Sequence, residues 1–160
     1  MISRIIFVFA ALFLVSCQSV QPLSSVGSGG KTRVGQLRYV TGSRTVVGDV
    51  ILNSLPNGDL DLEFSKGGLP VLQIQIRGDR MRATGLLARG GWSGSSLHPI
   101  AALKPWAELK QIVPHFDAAK ETKAENPGAW SANFQRKQNA LAGADLKFSG
   151  GKSMTFNFAQ

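Results

Sequence analysis

The stretch DLDLEFSKGGLPVLQIQIR, Asp59–Arg77, decides the fold. Leu60, Leu62 and Phe64 alternate with Asp59, Asp61 and Glu63; after a Gly67-Gly68 break, Leu72, Ile74 and Ile76 alternate with Gln73, Gln75 and Arg77. A period of two places one set of side chains on each face of a strand, so both runs read as strands with one apolar and one wet face. A glycine turn between two such runs makes an antiparallel hairpin, the architecture that tolerates water on one side.

The same reading extends outward. Upstream, PNGD (Pro56–Asp59) is a turn that joins this hairpin to Thr45–Leu55, which is preceded by a further strand over Arg33–Thr41. Downstream, Gly78-Asp79 turns the chain into RMRATGLLAR, with Met81 and Ala83 inward. At the other end, DLKFSGGKSMTFNF (Asp145–Phe158) is a hairpin about Gly150-Gly151, with Met154, Phe156 and Phe158 on the apolar face. Asp59, Asp61 and Glu63 fall on the solvated face, too far apart for one ion, and read as cross-strand partners of Arg77, Arg80 and Arg82 rather than as metal ligands.

Between the two strand regions the pattern changes. RGGWSGSS (Arg89–Ser96) is a Gly/Ser break around Trp92, which reads as a core anchor at the sheet edge in preference to a ligand-stacking residue. In LHPIAALKPWAELKQIVPHF, the prolines predict one short turn and then a helix from about Pro105 to Val113, whose stripe Trp106, Leu109 and Val113 packs on the sheet. Asp117–Trp130 reads as a loop or frayed helix, and Ser131–Ala144 as a helix or a further strand. The class is therefore mainly β with a helical cover, α+β.

The N-terminus sets the expected location. Arg4 precedes the apolar run Ile5–Val15, which has the length of a signal-peptide core and is shorter than the ~20 residues of a membrane-spanning helix. It ends in Leu14-Val15-Ser16-Cys17, and Cys17 is the one cysteine of the chain. That motif resembles the lipobox of bacterial lipoproteins. The resemblance implies cleavage between Ser16 and Cys17, acylation of Cys17 and anchoring in a membrane; Gln18, which is not Asp, implies the periplasmic face of the outer membrane. The expected organisation is a signal peptide over 1–16, a lipidated Ser/Gly-rich tether over 17–32 and one β-rich domain over 33–160.

Several chemistries are argued against. Gly30-Lys31-Thr32 imitates the end of a phosphate-binding loop, but Ser25 stands where the first glycine is required. Gly91-Trp92-Ser93 begins a nucleophile elbow that Ser95 fails to complete. His98 and His115 have no cysteine or carboxylate at ligand spacing. The expectation is a protein that is not an enzyme and has no cofactor and no metal. The formal charge of +8, lower by one without Arg4, suits anionic lipid or glycan partners in an exported chain, and not nucleic acid.

The order of parts, with the P-x-x-x-L-x-P-W pattern of Pro99–Trp106, resembles the outer-membrane lipoprotein receptor of the Lol pathway over about Arg33–Phe116. That resemblance implies a curved antiparallel sheet or incomplete β-barrel packed against one or two helices, with a cavity for acyl chains. The corresponding site expectation is a slot between Ile74, Ile76 and Met81 on the sheet and Leu103, Trp106 and Leu109 on the cover, with Arg80, Arg82 and Arg89 at its rim. The ligand would be a lipid, an acyl chain or a lipoprotein in transit. The alternative is a structural or interaction lipoprotein that has a filled core and serves an envelope protein partner.

Overall fold

A computed structural model describes residues 29–159. The expected signal-peptide cleavage between Ser16 and Cys17 and the expected lipidation of Cys17 lie outside these residues. Ten strands form one antiparallel sheet: β1 (Lys31–Thr41), β2 (Arg44–Ser54), β3 (Leu60–Lys66), β4 (Leu69–Arg77), β5 (Arg80–Gly85), β6 (Gly90–Ser95), β7 (Lys123–Asn126), β8 (Trp130–Lys137), β9 (Ala140–Phe148) and β10 (Lys152–Phe158). The order across the sheet is β6-β5-β4-β3-β2-β1-β10-β9-β8-β7. The sheet is not closed, since β6 and β7 are its two edges. Among the described residues a single α-helix, α1 (Lys104–Ile112), lies in the connection between the edges and tightens into a 3-10 turn over Val113–Asp117.

The alternation in the sequence is the alternation in the fold. Leu60, Leu62 and Phe64 face Ile76, Ile74 and Leu72 across the β3–β4 pair, and all are buried. The inward rows continue through Val50 and Leu52 of β2 and Leu37 and Tyr39 of β1 to Phe156 and Met154 of β10. Beyond β10 they pass to Ala144 and Leu146 of β9 and to Phe134 and Ala132 of β8. On the opposite face the Arg77 guanidinium grips both carboxylate oxygens of Asp61 at 2.7 Å, one of the expected cross-strand ion pairs. Trp92 sits on edge strand β6, half-buried against the core and opposite Ala83.

The second strand region extends further than its sequence suggests. Ser131–Ala144 is neither one helix nor one strand. It contains most of β8, the start of β9 and a two-residue turn, Gln138-Asn139, with both residues at positive φ (51° and 67°). Such a turn matches the twist of a hairpin, but its usual signal is glycine, and none is present. Asp117–Trp130 is not simply a loop, because Lys123–Asn126 pairs with β8 as a four-residue edge strand. Its residues KAEN have low strand propensity, and its place is fixed by the partner strand. The α-helix starts and ends one residue earlier than expected; it stops before Pro114, and the chain continues as the 3-10 turn that contains this proline.

Candidate functional site

The cover consists of Leu97–Asp117, and its inner surface is apolar. Leu103, Trp106, Ala107, Leu109, Ile112, Val113 and Phe116 are buried against the sheet. Pro105 is one of the first two residues of α1, where its missing N–H is not needed. Trp106 lies 4.9 Å from the ring of Tyr39 on β1 and 6.1 Å from Phe64 on β3. Phe116 meets Phe134, Phe156 and Phe158 edge-on at centroid distances of 5.8 to 6.1 Å. Burial raises the Tyr39 phenol pKa, with hydrogen bonds to Thr41 and Trp106 acting against it.

The rim of the cover is held differently, by cations that donate to its main-chain carbonyls. Arg136 of β8 donates from Nε to Glu121, from Nη1 to Phe116 and from Nη2 to His115, at 2.8, 3.2 and 3.1 Å. Lys152 of β10 donates to the Ala101 carbonyl at 2.8 Å. Lys110 of α1 reaches the opposite way, to the Gly78 carbonyl in the β4–β5 turn. His115 pairs with Glu121 at 2.9 Å rather than standing alone.

Ile74, Ile76, Met81, Leu103, Trp106 and Leu109 are brought to one interior, each with at most 1% exposure. They belong to one buried apolar cluster between the sheet and the cover. The arginines expected at the rim are elsewhere. The alternation that turns Met81 and Ala83 inward turns Arg80 and Arg82 outward, so Arg82 lines a half-open groove of about 330 Å³ on the outer face with Asp61, Glu63 and Gln73. Arg89 is an exposed left-handed residue (φ 51°) that closes the 3-10 turn at Leu86–Ala88.

The cations that do face the interior are Arg33 and Arg136. At the end of the sheet where β1 begins and β10 ends, a concavity of about 360 Å³ opens beside the 3-10 turn. Phe116, Phe158 and Leu141 supply its apolar wall; Lys31, Arg33, Arg136 and Asp117 are its charged groups. Arg33 lies 5.6 Å from the Phe116 ring centroid and Arg136 lies 5.9 Å from that of Phe134, distances at which a ring face attracts a cation. Asp117 Oδ1 accepts from Arg33 Nη2 at 2.6 Å and from Lys31 Nζ at 2.8 Å, and Arg33 Nη1 donates to Ser54 Oγ at 3.1 Å. Burial opposes the charge on Asp117. The Lys31 hydrogen bond, with the charge and hydrogen bond of Arg33, outweighs it and holds the carboxyl below its ordinary range.

Sequence reading missed this mouth, although a signal for it was present. Arg33 shares the inward phase of Leu37 and Tyr39, so strict alternation along β1 already points a charge into the interior. For Arg136 there was no such signal, because the strand that carries it was not identified. Among the described residues, no cluster of three or more His, Cys, Asp or Glu side chains is arranged to hold a metal, and no helix is long and apolar enough to cross a membrane. No protein-family model matches the chain, and no curated protein matches it.

Proposed function

We propose that this chain is a lipid-anchored protein of the bacterial envelope, at the periplasmic face of the outer membrane, and that its domain takes an acyl chain, free or on a lipidated partner, between sheet and cover. The sheet is then an incomplete barrel. One observation supports the curvature. At Gly35 and Gly48 a Cβ would collide with carbonyl oxygens of the neighbouring strands, Asn157 and Ser65, and glycines at such close approaches mark bends in a curled sheet.

The observation that carries the functional reading is the division of the cover's contacts. Its inner side meets the sheet mainly through non-directional apolar packing. Its rim is fastened by a few charged side chains that can exchange a carbonyl for water. A cover built this way can separate from the sheet with its rim hydrogen bonds replaced by solvent, and the apolar surface it leaves can be covered again by methylenes, each gaining roughly 0.8 kcal/mol on burial. No catalytic group is part of this reading.

The buried interior favours a second reading, a closed domain that serves an envelope partner by its outer surface. One experiment separates the two. The full chain, isolated from a bacterial membrane in mild detergent, is analysed by native mass spectrometry and, during titration with a fatty acid, by amide hydrogen exchange over 104–117. Retained lipid with altered exchange in the cover is expected. A chain that retains no lipid and shows unchanged exchange would leave the closed interaction domain. In the same preparation Cys17→Ser should lose labelled palmitate, and equal labelling would refute the anchor.

A further inference from the structure

The mouth beside the 3-10 turn contains an anion that belongs to the protein itself. The Asp117 carboxylate is on the cover, 40% exposed, and its Oδ1 accepts from both Arg33 and Lys31. Arg33 is buried behind it, with its side chain 6% exposed. Among the described residues that line it, the mouth has three cations and one carboxylate, an excess of two positive charges. Arg33 and Arg136 also lie against phenyl rings, and Phe116 and Phe158 continue from the mouth into the core. Cations at the opening, an aromatic wall behind them and a carboxylate from the movable element between them make a site with a polar end and an apolar end.

We propose that this mouth binds the anionic head of a single-chain amphiphile, a phosphate monoester or carboxylate, and that the head takes the place of Asp117 on Arg33 and Lys31 and so releases the end of the cover. The inference rests on the acyl-chain reading and adds the headgroup class and the means of opening to it. Its logic is competition. A ligand oxygen that makes the same two charge-assisted hydrogen bonds gains what Asp117 gives up. A dianionic phosphate also meets the two cationic charges that one carboxylate leaves over. Once Asp117 is free, the 3-10 turn keeps its carbonyl contacts to Arg136 but loses its tie to β1. Phe116, which lies on the same turn, can then move away from Phe158 and admit the chain. A neutral amphiphile gains nothing at Arg33 and faces a closed latch.

The test uses the full chain in dodecyl maltoside, with dodecyl phosphate, monododecanoylglycerol and inorganic phosphate as probes. Native mass spectrometry reads the adduct and amide hydrogen exchange reads residues 113–121. Dodecyl phosphate is expected to give a one-to-one adduct and faster exchange in that segment. Asp117→Asn, which removes the competitor, should tighten its binding by up to about fivefold, the lower end of ordinary site-to-site couplings. Lys31→Gln, at an exposed position that should not disturb folding, should weaken it. Inorganic phosphate producing the same exchange change at the same concentration would make this a free-phosphate site and overturn the amphiphile. Monododecanoylglycerol binding as tightly as dodecyl phosphate would overturn the headgroup site while leaving the acyl-chain reading intact. Failure of every amphiphile to bind would overturn both.

Discussion

The two wings of the sheet face the same cover but are built from different materials. The wing from β2 to β5 is mainly aliphatic: Val50, Leu52, Leu60, Leu62, Leu72, Ile74, Ile76 and Met81 form regular cross-strand rows, with Phe64 their one ring, set against Trp106. The wing from β8 to β10 is richer in rings: Trp130, Phe134, Phe156 and Phe158 gather around Phe116 and His115, and the Arg136 guanidinium, beside the Phe134 ring, fastens the 3-10 turn. Aliphatic rows bury area without directional demands. Rings and hydrogen bonds fix angles as well, so the second wing sets the position of the cover's end while the first only requires that something apolar be above it.

If that contrast is right, the largest response to a single truncation belongs to the first wing. Ile74→Ala removes three carbon atoms from a site with 1% exposure, in a row shared with Leu62 and Ala83, and should cost about 2–5 kcal/mol in urea unfolding with the slope unchanged. A loss under about 1 kcal/mol would mean that the aliphatic wing is loosely filled. A slot at this place would then already be present in the closed protein.

The second wing should respond locally. Arg136→Ala deprives the Glu121, Phe116 and His115 carbonyls of one donor each. Leaving buried acceptors unpaired costs about 1–3 kcal/mol, less where water reaches the rim. The expected signature is faster amide exchange over 113–121 with little change in β3 and β4. Equal acceleration in both places would show that the cover and the sheet open as one unit, and the separable cover would be lost with it.

The same contrast explains what was legible in the sequence. Strands β1 to β5, the final hairpin and the helix stripe follow simple periods, because each has one face in water and one in the core. Trp106 and Leu109 were found that way. Strand β7 has no apolar period, and β8 with β9 is joined by Gln138-Asn139, a turn without the glycine that marks such hairpins. The slot residues were legible as core but not as open or closed, since alternation gives a direction and no volume. The rim was misjudged for a related reason: Arg80 and Arg82 are near the slot in sequence, but their parity places them on the far face. Arg33 and Arg136, which do face inward, come from strands far away in the chain that meet the cover only through the sheet order β1-β10-β9-β8.

The smallest expected effect is the latch, and pH isolates it. Asp117 has a folded pKa below its ordinary value, so its contribution is fully present above the unfolded carboxylate range near 3.9 and is lost as pH falls through the lower folded value. Glu108 on α1 has the opposite sign. Burial raises its pKa against the charges of Lys104 and Lys152, so the cost of its charge is relieved as pH falls through that raised value. In the wild-type chain, mild acid should therefore first relieve Glu108 and only stronger acid release Asp117, and a single melting curve mixes the two. The difference between wild type and Asp117→Asn removes the Glu108 contribution, which both share. That difference should be under about 1 kcal/mol, because the carboxylate is 40% exposed and screened by water. It should stay level from pH 7 to about 5 and shrink toward zero below the unfolded range. A difference that grows on acidification would assign the depressed pKa to the unfolded chain and remove Asp117 as a latch between the two wings.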